Sequence, residues 1–347
     1  MVLVLGLLLI GLNAFAQQNS QFTQYMYNTA VINPAYAGSR EVLSIVGLNR
    51  MQWVGMDGAP RVLTFAANSA VSDHVGLGTS IVSDKIGPSN QTSLSVDMSY
   101  NIRLNYDYKL FFGLKASGYL LNIDYTKLNQ YNPNDPHFQN NISGKFSPNL
   151  GTGVYLQSDR TYVGVSVPAL LENILYDANK ESALKLRSHY YFMAGHVFDL
   201  SYNVKFKPAI LADFIVGSPL QLNLSANFLF FEKLTLGTSY RWGAAASAVV
   251  GFQITDGLLM GYAYDADTNK LGKYNSGSHE FFLRFELSKK INKVFSPRIF
   301  LSYESKNTQL GDLIFRYSIL RFFSGKQNKK SQQKIRRPSL HRRNRDL

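Results

Sequence analysis

Residues 92–104 read Thr-Ser-Leu-Ser-Val-Asp-Met-Ser-Tyr-Asn-Ile-Arg-Leu, and their alternation decides the fold. Leu94, Val96, Met98, Tyr100, Ile102 and Leu104 are apolar, while Ser93, Ser95, Asp97, Ser99, Asn101 and Arg103 are polar. Successive side chains of a strand point to opposite faces, so this stretch has one apolar and one polar face. Its length suits a tilted strand crossing a bilayer. The pattern recurs. Leu220, Leu222, Leu224, Ala226, Phe228 and Phe230 alternate with Gln221, Asn223, Ser225 and Asn227. Phe281, Leu283, Phe285 and Leu287 alternate with Glu280, Arg284 and Glu286, and only Phe282 breaks the phase. Elsewhere the pattern is weaker: Phe111 and Phe112 stand side by side, and the first strand alternates poorly.

The pattern predicts fourteen strands, near 41–53, 60–69, 74–84, 91–104, 107–121, 148–157, 160–167, 188–199, 203–215, 219–230, 232–242, 245–255, 258–265 and 278–288. Links after even-numbered strands are all short. Links after odd-numbered strands include every long one: 122–147, 168–186 and 266–277. A transmembrane barrel that starts in the periplasm has short turns on that side and long loops outside. A large soluble β fold has no reason to sort its loops by parity. The expected fold is therefore all-β, an outer-membrane barrel of about 14 antiparallel strands. Such a wall is wider than an eight-stranded one, whose lumen its own side chains fill. Something should occupy or constrict the interior. The segment 17–40 fits, since it lacks alternation and carries Asn33-Pro34 and Gly38 as breakers. Inward-folded loops are the other option.

The ends and the composition agree with a surface destination. Residues 1–16 form a short apolar stretch closing on Ala14-Phe15-Ala16, which reads as a signal peptide, although no Lys or Arg precedes it. Beyond it no apolar run reaches about 18 residues, so no spanning helix is expected. The 21 Tyr and 23 Phe suit strands and interface girdles. With no Cys, disulfides, zinc-thiolate sites and thiol nucleophiles are excluded. The formal charge of +13 is mostly a tail: residues 324–347 hold nine Lys or Arg against one Asp, which is +8 of it. The tail reads as disordered, or as an arm for an acidic partner or anionic headgroups.

No catalytic constellation emerges. His189 and His196 lie seven residues apart on one strand and so face opposite ways, as do His279 and Glu280. His74, His137 and His341 are isolated. Tyr264-Asp265-Ala266-Asp267-Thr268-Asn269 faintly resembles a calcium loop but lacks its glycine and terminal Glu, and an Asx-rich turn explains it better. No phosphate loop or nucleophile elbow is present. The inward polar set includes Asp97, Arg103, Lys109, Lys115, Lys205, Lys207, Asp213, Arg284 and Glu286. These charges either cross-brace the interior or line a conduction or docking path. No cofactor or metal is expected.

Several motifs exceed a generic barrel. Gln21-Phe22-Thr23-Gln24-Tyr25-Met26-Tyr27-Asn28 is followed by Asn33-Pro34-Ala35-Tyr36-Ala37-Gly38-Ser39. Arg50, Gln52-Trp53, Gly55, Gly58-Ala59-Pro60 and Asp84-Lys85-Ile86-Gly87-Pro88 come next. Late in the chain stand Gly237-Thr238-Ser239-Tyr240-Arg241, Gly261-Tyr262-Ala263-Tyr264-Asp265, Gly277-Ser278-His279-Glu280 and Ser296-Pro297-Arg298. Together these resemble the PorP/SprF family of type IX secretion membrane proteins of Bacteroidota, over roughly residues 17 to 300. The resemblance marks Asn33, Pro34, Tyr36, Gly38, Arg50, Trp53, Gly87, Pro88, Tyr264, Asp265, His279, Glu280 and Arg298 as structural or partner-contacting positions. It implies a non-enzymatic outer-membrane component that supports export or surface attachment of a large adhesin with a C-terminal secretion domain, with a tie to gliding motility in some members. It also implies links to periplasmic ring proteins and a peptidoglycan-binding lipoprotein, and no nucleic acid. The family usually ends near Ser296–Phe300, and this chain runs on to Leu347.

The expected organisation is a signal peptide (1–16), a periplasmic or plug segment (17–40), a barrel (41–300) and a basic extension (301–347). Two other functions compete. A transporter for a small hydrophobic molecule would need an apolar path, against which the inward charges argue. A barrel hydrolase would need a Ser or Asp beside a His at the outer rim.

Overall fold

The computed structural model describes residues 23–128, 140–172, 174–176, 184–185 and 187–287. The expected signal peptide (1–16), residues 17–22, His137, Arg298 and the expected basic extension (301–347) lie outside the described residues. The wall begins with β1 (Leu43–Met51), β2 (Arg61–Ala70), β3 (Val75–Ile86), β4 (Ser89–Arg103), β5 (Lys109–Ile123), β6 (Ile142–Gln157) and β7 (Thr161–Val167). A small separate hairpin follows, β8 (Ile174–Tyr176) with β9 (Leu184–Lys185). The wall resumes with β10 (His189–His196), β11 (Phe198–Ser201), β12 (Val204–Ile215), β13 (Gln221–Phe230), β14 (Leu234–Arg241), β15 (Ala245–Thr255), β16 (Leu258–Asp267) and β17 (Ser278–Leu287). β10 and β11 are two halves of one staggered position, both paired with β12. The result is fourteen wall positions, each antiparallel to its neighbours, closed by β1 on β17 and by β10 on β12. Closure leaves no sheet edge, which a bilayer would not tolerate. No described helix is long and apolar enough to cross a membrane.

All fourteen expected strands are present, with shifted ends. The longest are β4, β5 and β6, with 15, 15 and 16 residues. β5 and β6 stay paired out to Ile123↔Ile142, so the expected loop 122–147 shrinks to 124–141. The loop expected over 168–186 holds the β8–β9 hairpin. Both lie at the end where β1, β3, β5 and β7 finish. That is the extracellular end, since short turns join the strands at the other.

Alternation along β4 sorts as expected. Leu94, Val96, Met98 and Tyr100 are each about half exposed on the outer face, and Ser95, Asp97 and Ser99 are buried on the inner one. The stretches that break alternation share a single cause. Inside the ring lie residues 23–40, with a one-turn helix α1 (Thr29–Ile32) and a 3₁₀ turn at Pro34–Tyr36, and nearly all of them are buried. Tyr25, Met26, Tyr27 and Ile32 pack in one cluster with Leu48 of β1, Val62 of β2, Leu259 of β16 and Phe282 of β17. Tyr27 stacks on Phe282 at 4.2 Å between ring centroids. Phe111 of β5 turns inward beside Tyr155 and Tyr36, while Phe112 faces out. β1 does alternate in burial, but Val46 and Leu48 make the middle of its inner face apolar where they meet the lumen segment, between Ser44 and Arg50.

Val96 lies midway along β4 on the outer face. Val96→Arg should cost about 2–4 kcal/mol if that face is in hydrocarbon. Val96→Ile, which adds one methylene on the outer face and stays apolar, should change stability by no more than about 1.5 kcal/mol. Urea unfolding of the barrel in lipid vesicles, followed by heat-modifiable gel migration, reads both. Equal stabilities would contradict the lipid-facing assignment.

Candidate functional site: a filled lumen and its outward chamber

The lumen segment begins at a buried charge cluster near the extracellular end. Arg50, next to last in β1, aligns with Glu280 of β17, and Asp265 of β16 aligns with Ser278. The phase of all three strands turns these charges inward. Arg50 Nη2 lies 2.6 Å from Asp265 Oδ2, and Arg50 Nη1 lies 3.1 Å from Glu280 Oε2. Thr23 completes the knot. Its hydroxyl donates to Asp265 Oδ2 at 2.6 Å and accepts from Arg50 Nη1 at 2.9 Å. The consecutive amides of Thr23 and Gln24 donate to the two oxygens of Glu280 at 3.0 and 2.8 Å. Arg241 Nη2 approaches Asp265 at 3.9 Å. Two cations and two anions are thus gathered with balanced charge, the condition under which buried ions persist.

Below the knot, wall side chains hold the segment by its backbone. Lys115 Nζ donates to the carbonyls of Ala30 (3.3 Å) and Val31 (3.0 Å) and pairs with Asp97 at 3.3 Å. Ser166 Oγ donates to the carbonyl of Ile32 at 2.9 Å and Ser99 Oγ to that of Ala37 at 2.6 Å. Gln157 Nε2 donates to the carbonyl of Ser39 at 3.3 Å. Near the periplasmic end Arg40 Nε meets Glu286 Oε1 at 2.5 Å, and Arg284 Nε meets the same oxygen at 3.1 Å. Arg284 and Lys207 also sit over the Tyr27 ring, at 5.7 and 5.9 Å from its centroid, where a ring face attracts cations. Lys109 pairs with Glu41 at the exit.

Glycines admit the tightest part of the segment. Asn33 is extended (φ −130°, ψ 111°), as a residue before proline prefers. Its side chain accepts the Ala35 amide at 3.0 Å and donates to the carbonyl of Val154 at 3.2 Å. A Cβ on Gly113 of β5 would lie 2.0 Å from the Ala35 nitrogen, and one on Gly153 of β6 would lie 2.2 Å from Asn33 Oδ1. A Cβ on Gly76 of β3 would lie 2.2 Å from the Ala37 carbonyl oxygen. Gly38 leaves the turn at φ +70°, a conformation glycine adopts without strain.

The marked residues divide between this interior and the wall around it. Asn33, Pro34, Tyr36, Gly38, Arg50, Asp265 and Glu280 converge in the lumen. Tyr264 and His279 are the outward halves of the Tyr264-Asp265 and His279-Glu280 dipeptides. They pack edge to face at 5.3 Å, and Tyr262 Oη lies 2.7 Å from His279 Nδ1. Trp53 lies just past β1 at φ +49°, half-buried, its amide donating to Ser278 Oγ at 3.2 Å. Gly87 (φ +55°) and Pro88 make the β3–β4 turn. Arg103 is exposed at the periplasmic rim. Sequence reasoning missed Thr23, Gln24 and Arg241 as charge partners, and Gly76, Gly113 and Gly153 as a cradle. The inward phase of those glycines was the available signal.

Beyond the segment, toward the extracellular end, lies a small chamber of about 130 Å³ floored by Tyr25, Val31 and Ile32. Its walls carry Asp84, Gln91, Tyr119, Tyr191, Asp213 and Asn223. His189 Nδ1 lies 3.0 Å from both oxygens of Asp213 and 3.4 Å from Tyr191 Oη. A His–Asp pair is part of a hydrolytic triad, but no serine is bonded to this His among the described residues. No described group of three or more His, Asp or Glu could hold a metal.

The sequence family described as "Type IX secretion system membrane protein PorP/SprF" matches residues 14–285. Among curated proteins none matches. Solved barrels resemble the chain in form. Omp33 of Acinetobacter baumannii is 7% identical, covering 72% of this chain and 100% of its own, with TM-score 0.44. A Pseudomonas aeruginosa FadL homologue is 11% identical (74% and 93%, TM-score 0.44), and the CymD monoaromatic hydrocarbon channel is 11% identical (80% and 96%, TM-score 0.44).

Arg50→Met would leave Asp265 and Glu280 facing each other without their shared cation. We expect a loss of about 3–5 kcal/mol, with part recovered in Arg50→Met/Glu280→Gln. Gly113→Val should instead spare the wall and expel the 33–38 turn, seen as rapid amide exchange over residues 23–40. Protection of that stretch in Gly113→Val would contradict the cradle.

Proposed function

The chain belongs to the PorP/SprF family of type IX secretion system membrane proteins, and from that premise we propose that it supports export or surface anchoring of a cognate adhesin. In this reading it is a non-enzymatic outer-membrane component, inserted after cleavage of the signal peptide in a Gram-negative bacterium of the Bacteroidota. Its extracellular loops, 122–147 and 168–187, meet the exported adhesin, which carries a C-terminal secretion domain. Its periplasmic turns meet ring proteins and a peptidoglycan-binding lipoprotein. Segment 17–40 acts as a plug and 301–347 as a basic periplasmic extension. Gliding motility is one process such an anchor would serve.

One observation carries this reading: the lumen is filled by the chain's own residues 23–40, held by ion pairs and backbone hydrogen bonds along their length. A pore needs a continuous path, whereas a fixed surface anchor needs a rigid interior. The same observation counts against the small-molecule transporter, because a hydrophobic solute would meet Arg50, Asp265 and Glu280 rather than apolar wall.

Deleting the gene should abolish cell-surface retention of one large exported protein while leaving its synthesis intact. That protein should co-purify with the tagged barrel from detergent extracts, together with a periplasmic secretion component. Normal surface retention in the deletion strain, or an intact barrel that recovers neither partner, would refute the proposal.

A further inference from the structure

We propose that the outward pair Arg61–Lys85 binds the headgroup phosphate of an acylated lipid in the outer leaflet. The proposal needs the lipid-facing wall but not the anchoring role above.

Two cations stand side by side at this point. Arg61 opens β2 and Lys85 is next to last in β3, and the register sets them directly opposite each other. Both are exposed, on the face that carries Leu63 and Phe65 of β2 and Leu77 and Ile81 of β3. Directly opposed residues have Cβ atoms about 4.5–5.5 Å apart, and like charges so placed repel. At the periplasmic rim Lys109, Arg160 and Lys205 each have a carboxylate partner. Neither Arg61 nor Lys85 has a hydrogen-bonding or ion-pairing side-chain partner among the described residues. Their flanking neighbours along the sheet are Met51 and Asn90, which carry no charge. Asp84 lines the interior chamber, and the exposed Asp57 of the loop above pairs with neither cation.

Height identifies the counter-ion. From Lys85 the register runs through Arg61, Met51 and His279 to Tyr264, one row across five strands. Below that row the outward positions include Ile81, Leu63, Phe65, Phe281, Leu283 and Met260, all exposed and apolar. The row thus lies where the apolar band ends on the extracellular side, with Tyr264 and His279 as its interfacial rings. Cations at that depth meet lipid headgroups. A phosphate between the two side chains takes paired N–H donors from the Arg61 guanidinium and a further donor from the Lys85 ammonium. Its presence turns the repulsion of the pair into a shared attraction. The acyl chains of the same lipid then rest on Leu63, Phe65 and Ile81, a contact that free phosphate lacks.

The test uses the full-length barrel purified in detergent. The probes are monophosphorylated lipid A, the same lipid after enzymatic removal of its phosphate, and inorganic phosphate, each titrated with native mass spectrometry as the readout. The dephosphorylated lipid should bind at least about tenfold more weakly than the phosphorylated one, equivalent to about 1.4 kcal/mol. Arg61→Ser/Lys85→Ser should lose the same factor for the phosphorylated lipid, with heat-modifiable migration unchanged. Lys233→Ser, at an exposed periplasmic turn, should bind as the unaltered barrel does. Lys85→Ser alone gives the reading if the double variant does not fold. Equal affinity of the unaltered and Ser-substituted barrels overturns the proposal, as does equal binding of the two lipids. Inorganic phosphate bound as tightly as the lipid overturns it as well, since the acyl contacts would then contribute nothing.

Discussion

The carboxylate of Glu280 accepts the amides of Thr23 and Gln24 and the guanidinium of Arg50, and the rest of the interior follows from that arrangement. A wall of fourteen strands encloses more space than its own side chains can fill. Water could occupy it, but the chain spends its residues 23–40 there instead. Fixing the end of that segment at Glu280 and its exit at Glu286 sets its depth. Between these points the wall supplies donors to carbonyls and acceptors to amides. The segment therefore needs little regular structure of its own. One turn of helix and one 3₁₀ turn suffice, because the wall satisfies backbone groups that helix or sheet would otherwise pair.

The same segment makes the barrel two-sided in an unusual way. A bilayer wets one face with lipid, and an open lumen would wet the other with water. Here much of the inner face touches packed side chains. Tyr27 lies between Phe282 and two cations, and Leu48, Val62 and Met193 close around the neighbouring aromatics. The interior thus combines a packed apolar core with buried ion pairs.

Two dipeptides show how one short motif serves two environments. Tyr264-Asp265 and His279-Glu280 sit on adjacent strands, and in each the first residue faces outward and the second inward. Tyr264 and His279 join Tyr262 near the extracellular rim, where amphipathic rings suit the membrane interface. Asp265 and Glu280 enter the charge knot. One pair of positions therefore couples the depth of the wall in the membrane to the seat of the lumen segment.

What the sequence determined by itself is the wall. Period-two alternation names each strand and its lipid face, and loop lengths sorted by parity name the extracellular end, because both are set by neighbours one or two residues away. Even the exceptions were informative: Phe111, Phe282 and the inward Val46 and Leu48 of β1 broke the pattern where the interior is packed. The tertiary structure alone decided what packs it. Thr23 lies 257 residues from Glu280, and Gly113 and Ala35 are likewise remote in sequence though less far apart. Ion pairing and close backbone approach depend on register around a closed ring, and that register exists only once every strand has found its neighbours.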